Sequence, residues 1–280
     1  MGCLTGKTAV VTGGGGVLCG DFSRELARHG AAVAVLDINL EMAQKTADSI
    51  TSNGGDAIAV QCSVLDTVSL NLAAARVKEA FGTWDILING AGGNNPKATA
   101  TKEYYEDGDE VGTDPDAVTF FDLDPKGFES VFSLNFMGTM LPTQVFAKEM
   151  AAKKAGTILN ISSMAAPCPM TKVPAYAAAK AGISNFTQYL AVYFAGAGIR
   201  VNAMAPGFFV TGQNEKLLMN EDGSLTDRSR KIIGHTPMRR FGKPEELLGT
   251  LIWLCDEKVS GFVTGTVINV DGGFMAYAGV

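Results

Sequence analysis

The sequence predicts a doubly wound α/β fold: a parallel sheet of about seven strands with helices on both faces, in a single domain. Three observations carry that expectation. Short β-branched apolar runs alternate along the whole chain with longer segments of helical period, the pattern of repeated strand–helix–strand units. The runs are continuous rather than alternating polar and apolar, as strands buried on both faces require. Glycine, proline and acidic residues fall where the helices should begin and end.

Taken in order, Thr8–Thr12 is the first strand, and a helix near 20–29 stops at Gly30. Ala32–Leu36 and Ala57–Gln61 bracket a helix near 40–52. Asp66 caps the next, near 66–81, which leads to the strand Ile86–Ile88. A helix near 126–151, the strand Thr157–Ile161, a helix near 175–197 and the strand Val201–Ala205 follow. Pro244 opens the last helix, near 244–256, before the strand Val267–Val270. Two segments break this rhythm: a polar, glycine-rich insertion at about 93–124, acidic between Glu103 and Glu110, and a substrate loop at about 208–243. Both start at strand carboxyl ends, where open α/β sheets bind ligands. The insertion reads equally as a solvated loop.

Composition narrows the partners. The 280 residues carry 23 basic and 29 acidic side chains, a net charge of −6, with no basic tract, which argues against nucleic acid or an anionic membrane. No apolar stretch suits a membrane span. Five scattered cysteines without a C-x-x-C pair suit a reducing cytosol better than a disulfide framework or a zinc site. A cytoplasmic protein without metal is the expectation.

After the first strand comes Thr12-Gly13-Gly14-Gly15-Gly16-Val17-Leu18-Cys19-Gly20. Glycines between a strand and a helix let the backbone approach a pyrophosphate, which the helix N-terminus then favours. The strict G-x-G-x-x-G pattern fails, because Leu18 and Cys19 stand where its third glycine would fall. Asp37 ends the second strand, where a carboxylate can accept hydrogen bonds from a ribose 2′-hydroxyl and repel a 2′-phosphate. NAD is expected over NADP. Farther on, Ser163 follows the fifth strand, and Tyr176 and Lys180 lie four apart on one helical face. An ammonium beside a phenol favours the phenolate, which can exchange a proton with a substrate hydroxyl. A serine hydroxyl can hydrogen-bond the developing alkoxide.

In combination these residues resemble the short-chain dehydrogenases/reductases, over nearly the whole chain. Thr12-Gly13 and the following glycines resemble that family's cofactor loop, Asn89-Gly90-Ala91-Gly92 its Asn-Asn-Ala-Gly turn, and Pro206-Gly207 with Phe209 and Thr211 its nicotinamide-side loop. Val270-Asp271-Gly272-Gly273 extends the likeness to the last strand. The resemblance implies a Rossmann-type domain and a catalytic tetrad of Asn135, Ser163, Tyr176 and Lys180. Tyr176 would be the acid/base, Lys180 would lower its pKa and hold the nicotinamide ribose, Ser163 would orient the substrate oxygen, and Asn135 would hold a water linking Lys180 to solvent. The implied cofactor positions are Gly13, Gly15, Gly16, Val17, Leu18, Asp37, Ser63, Val64, Asn89, Ala91, Gly92, Tyr176, Lys180, Pro206, Gly207, Phe209 and Thr211. Departures are Val17 and Cys19, where the family has glycines, and Ser63, where it usually has an acidic residue near the adenine.

A narrower resemblance, carried by Gly92–Thr99, Phe121-Asp122-Leu123 and Pro206–Thr211, is to the bacterial D-mannonate oxidoreductase (fructuronate reductase) branch. It implies NAD-linked interconversion of a sugar-acid ketone and alcohol, D-fructuronate and D-mannonate. A sugar acid needs a cation for its carboxylate and many hydrogen-bonding groups, and Asn94, Asn95, Lys97 and Lys172 are the candidates. Another polyol, gluconate or a 3-ketoacyl substrate is the alternative, and a non-catalytic dinucleotide-binding scaffold a third reading. The resemblance also implies a homotetramer built on the apolar helices.

Overall fold

Seven strands form one parallel sheet: β1 (Thr8–Thr12), β2 (Ala32–Asp37), β3 (Ala57–Gln61), β4 (Ile86–Asn89), β5 (Gly156–Ile161), β6 (Ile199–Pro206) and β7 (Val267–Val270). Their order is β3-β2-β1-β4-β5-β6-β7, and every neighbouring pair is parallel. The computed structural model describes residues 2–210 and 218–279. The helices are α1 (Val17–Arg28), α2 (Leu40–Ser52), α3 (Thr67–Phe81), α4 (Pro125–Phe132), α5 (Gly138–Lys153), α6 (Pro174–Phe194), α7 (Asp227–His235), α8 (Leu248–Cys255) and the single turn α9 (Glu257–Ser260).

The continuous apolar runs resolve into two faces with the period of a strand. Val11, Val33, Val35 and Ile88 point to one side, into a core shared with Phe22 and Leu26 of α1, Ile50 of α2 and Leu251 of α8. Val10, Leu36, Leu87 and Ile158 point to the other, against Leu70 of α3, Phe146 of α5 and Leu190 of α6. Burying a side chain such as Phe22 or Phe146 stabilises the fold by about 1.5–3 kcal/mol. Trp84 joins the second layer, with its indole N–H donating to the Phe146 carbonyl at 2.8 Å. Strand order reverses between β1 and β4, and that reversal opens a crevice at their carboxyl ends.

Helix starts follow local chemistry. Asn39, Asp66 and Asp124 accept from backbone N–H groups in the first turns of α2, α3 and α4, and Gly30 leaves α1 with φ +94°, a conformation glycine adopts freely. The segment expected as one helix near 126–151 is instead α4, a π-helical turn at Ser133–Met137, and α5. Asn135, Thr139 and Thr143 each donate to the carbonyl four residues back, at 2.8, 2.9 and 2.8 Å, competing with the helix's own N–H groups.

The insertion is also more ordered than a solvated loop. It contains the 3-10 turns Pro96–Ala98, Asp109–Val111 and Phe120–Asp122. Asp109 of its acidic middle is buried and accepts from Lys102 at 2.6 Å. The loop at 208–243 holds α7, capped by Thr226. Among the described residues, no helix is long and apolar enough to cross a membrane.

Candidate active site

A cleft of about 510 Å³ lies over the carboxyl ends of β1, β4, β5 and β6. Its walls include Gly13, Gly16, Val17, Leu18, Asp37, Ala91 and Gly92 on one side, and Ser163, Tyr176, Lys180, Pro206, Gly207 and Phe209 on the other. Residues separated by more than 100 positions in sequence therefore share one cavity. Ser162, Phe208, Gly93 and Cys19 line it too, although no pattern in the sequence marks them as wall residues.

The floor near β1 is shaped for a close approach. Gly13 has φ +66°, and a Cβ there would lie 2.9 Å from the Ala91 Cα. Gly16 caps α1 without any side-chain acceptor, so the helix presents its first N–H groups to the cleft. Asp37 accepts from the Gly15 N–H at 3.0 Å and the Asn39 N–H at 2.9 Å, which fixes its carboxylate at the cleft edge. Gly15 itself faces away from the cleft, since a Cβ there would strike Met42 at 2.7 Å.

Three other expected cofactor positions also lie off the cleft walls. Asn89 is 1% exposed and turned into the protein, where its amide donates to Thr143 Oγ1 and Asn160 Oδ1, both at 2.9 Å. It ties β4 to β5 and α5 below the cleft. Ser63 takes a Ser69 hydroxyl on its backbone N–H, and Val64 packs against Gly138. Thr211 lies outside the described residues.

Cys19, a departure from the family pattern, fits against Gly90. A Cβ on Gly90 would sit 2.1 Å from Cys19 Sγ, so the thiol of α1 fills the space that a side chain at 90 would need. The turn is pinned from the other side by Thr12 Oγ1, which accepts from the Gly90 and Ala91 N–H groups at 3.1 and 3.3 Å.

On the opposite wall, Lys180 Nζ donates to the Ile161 carbonyl at 2.7 Å and lies 5.6 Å from the centre of the Tyr176 ring. Ser163 Oγ accepts from the Ala165 N–H at 3.1 Å, and its hydroxyl faces the Tyr176 phenol closely enough to lower that group's pKa. Asn135, fully buried in the π turn, lies behind the wall. Its amide donates to the Gly93 carbonyl at 2.7 Å and its oxygen accepts from the Gly93 N–H at 3.3 Å. A Cβ on Gly92 would fall 2.6 Å from Asn135 Oδ1 and 3.5 Å from Lys180 Nζ, so Gly92 sits between these two groups.

The candidate substrate residues separate. Asn94 donates to Thr99 and Asn95 to Ser130, each at 2.9 Å, which shapes the turn after Gly93. Lys97 is exposed beside them. Lys172 lines a second cavity, under the insertion. Among the described residues, no group of three or more His, Cys, Asp or Glu is placed to hold a metal ion.

The family profile described as short chain dehydrogenase matches residues 7–222. The chain belongs to the short chain dehydrogenase family. An uncharacterized oxidoreductase of Bacillus subtilis, UxuB, is 57% identical to this dehydrogenase over 99% of its chain and 98% of the relative's. A Haemophilus influenzae protein, provisionally named a D-mannonate oxidoreductase and crystallised with bound NAD, is 52% identical. It superposes with a TM-score of 0.94, covering 99% of this chain and 98% of its own. A 7α-hydroxysteroid dehydrogenase solved with NADH and 7-oxo glycochenodeoxycholic acid is 31% identical, with a TM-score of 0.81 over 96% and 94% of the two chains. The Escherichia coli enzyme of that name is 31% identical over the same shares. As a family member, the dehydrogenase is an oxidoreductase acting on CH–OH groups.

Electrostatics in the dehydrogenase's cleft run against one sequence expectation. Pairing with Lys180 is expected to favour the Tyr176 phenolate, yet burial raises this phenol above its ordinary value and only the Ser163 hydroxyl opposes it. Burial also pulls Lys180 down from 10.5 to about 8. Desolvation penalises both charged forms, and Nζ is held to a neutral carbonyl rather than to a carboxylate. Burial likewise pushes the Cys19 thiol up to about 12, making it a packing group rather than a thiolate.

Proposed function

We propose that this dehydrogenase uses NAD to interconvert the ketone and alcohol of a sugar acid, with D-fructuronate and D-mannonate as the pair. The observation that carries the reading is the sharing of one cleft by Tyr176, Ser163 and Lys180 with Asp37 and the uncapped start of α1. A dinucleotide fits that arrangement. The glycine floor admits its backbone-close pyrophosphate, the α1 N–H groups attract the phosphate charge, and Asp37 suits a free ribose 2′-hydroxyl while repelling a 2′-phosphate. Bound there, the nicotinamide would exchange a hydride with the substrate carbon.

The protein's own groups handle the oxygen. Tyr176 Oη gives its proton to the substrate oxygen during reduction and takes it back during oxidation. Ser163 Oγ hydrogen-bonds that oxygen as charge develops. Lys180 Nζ, beside Gly92, would hold the nicotinamide ribose and supplies positive charge near the phenol. Asn135, fixed to Gly93, orders the water behind Lys180. The sugar-acid assignment draws on the 52% identity to the provisionally named D-mannonate oxidoreductase and on the polar turn Asn94-Asn95-Pro96-Lys97. We also propose a homotetramer, because α6 carries an aromatic stripe in which the exposed Tyr189 and Tyr193 and the half-buried Phe186 stack at 6.1 and 5.9 Å.

NADH oxidation with D-fructuronate, run beside NADPH and a panel of tagaturonate, 5-ketogluconate, a ketopolyol and an acetoacetyl thioester, tests the reading. We expect turnover on fructuronate with NADH, and loss of at least about 10²-fold in Tyr176→Phe with NADH binding retained. Turnover on another carbonyl would keep the tetrad and refute the substrate. NADH binding with no turnover on any carbonyl would favour a scaffold.

A further inference from the structure

One carboxylate joins the two long segments to the stretch that leads into α6. Glu103 belongs to the insertion, Lys231 to α7, and Lys172 to the stretch just before α6. Lys231 Nζ lies 3.1 and 3.0 Å from the two Glu103 oxygens. Lys172 Nζ stops 4.0 Å short of the same carboxylate, beyond the length of a charge-assisted hydrogen bond. The Lys231 hydrogen bond, with the fields of Lys231, Lys172 and Arg228, holds the Glu103 carboxyl below its usual range. One negative charge therefore faces three positive ones. Nearby Lys102 offers the contrast: Asp109 and Glu106 match it at 2.6 and 2.8 Å.

Lys172 is also held in an unfavourable backbone conformation. Its φ is +72°, in the left-handed region that residues with a Cβ avoid, and its carbonyl is fixed there by the Ala100 N–H at 2.8 Å. Glycine would be relaxed at this position. Strain of this kind concentrates at ligand clamps, and here it presents an under-paired ammonium to a cavity of about 280 Å³. Tyr104, Tyr105 and Phe121 form apolar walls of that cavity. Pro174, two residues before Tyr176 in the first turn of α6, lines it as well. A cavity with apolar walls, a few polar groups and one unsatisfied cation suits a small polyhydroxylated acid.

We propose that Lys172, with Lys231 beside it, is the carboxylate subsite of this dehydrogenase, and that Glu103 occupies the subsite until the substrate's carboxylate takes over Lys172. The proposal rests on the sugar-acid reading above. It assigns the anion contact to the insertion and α7 rather than to the Asn94–Lys97 turn, and it makes Glu103 a specificity-determining residue.

The test compares KM and kcat for D-fructuronate and for its uncharged methyl ester, with NADH, in the wild type, Lys172→Gly and Glu103→Gln. Lys172→Gly removes the ammonium while relieving the backbone, so it folds at least as stably as the wild type. Its KM for the acid should rise at least about ten-fold more than its KM for the ester, with kcat changed little. Glu103→Gln should lower the acid KM several-fold and leave the ester KM nearly unmoved, because the competing carboxylate is gone. Equal effects on acid and ester, or none, would overturn the subsite while leaving the sugar-acid reading intact. A wild type that reduces no sugar acid would overturn that reading, and the subsite with it.

Discussion

The Cys19–Gly90 contact gives a sharp test of how the cofactor cleft is built. In Gly90→Ala the new methyl carbon would stand 2.1 Å from Cys19 Sγ and 3.0 Å from the Thr12 carbonyl oxygen. Favourable nonbonded separations between heavy atoms such as carbons are about 3.5–4.0 Å, so the sulfur must retreat by well over an ångström. It has little room to do so, since Cys19 is 6% exposed and packed in the core beneath α1. Overpacking of this kind costs about 1–3 kcal/mol; at the upper end that lowers Tm by about 6–12 °C for a chain of this size. Cys19→Ala removes the larger obstacle, because the Cys19 Cβ is 3.6 Å from the built position, an ordinary contact, and leaves only the 3.0 Å approach to the Thr12 carbonyl. The double variant should thus be nearly as stable as Cys19→Ala alone, a coupling of about 2 kcal/mol. Urea unfolding measures the four stabilities, and NADH fluorescence titration should show binding weakened in Gly90→Ala and recovered in the pair. Strict additivity of the two single effects would refute the argument.

Two further outcomes follow from features of α6. Lys180 is depressed from 10.5 to about 8 in the folded protein, so between those values the unfolded chain binds more protons and stability rises with pH. The difference in urea stability between the wild type and Lys180→Met should grow by up to about 3 kcal/mol between pH 8 and 10.5; buried thiols such as Cys19, pushed up to about 12, oppose the gain above pH 9 in both proteins, as the raised Tyr176 phenol does above pH 10. Tyr193→Glu, placed where Tyr193 is 66% exposed on the aromatic stripe, should reduce the mass in light scattering below that of four chains, and an unchanged mass would exclude this face from the assembly.

The sheet was legible because its signal is local. β1, β3 and β7 fall where continuous apolar runs place them, and β2, β4, β5 and β6 differ only by one or two residues at their ends. Asp37 and the Ser163, Tyr176 and Lys180 set were legible for a related reason: a strand end or a helical spacing fixes their direction. What stayed hidden depends on contacts that the linear pattern does not contain. Asn89 sits in a glycine-rich turn next to the cleft, yet its amide is drawn down into Thr143 and Asn160, which are brought near only by folding. The helix α7 has a thin apolar signature, essentially Ile232 and Ile233, and its start depends on the Thr226 cap and a buried Ser229. Glu103 looked like one acid among many in the insertion, until the fold set it against Lys231, 128 residues away.

The π turn at Ser133–Met137 has a bearing on which changes of chain length the protein tolerates. An α-helix advances about 100° per residue, so the surplus residue in the turn sets the azimuth of α5 independently of that of α4. One continuous rod thereby faces two ways: α4 looks toward α6 and the turn at Lys97, while α5 looks toward α3 and the sheet. A one-residue deletion here would straighten the rod and spin one half against the other, either swinging Asn135 off Gly93 or lifting Phe146 and Met150 out of the core. Loops elsewhere on the surface can absorb such a deletion. This helix is phased like a gear, and its tooth count is fixed at both ends.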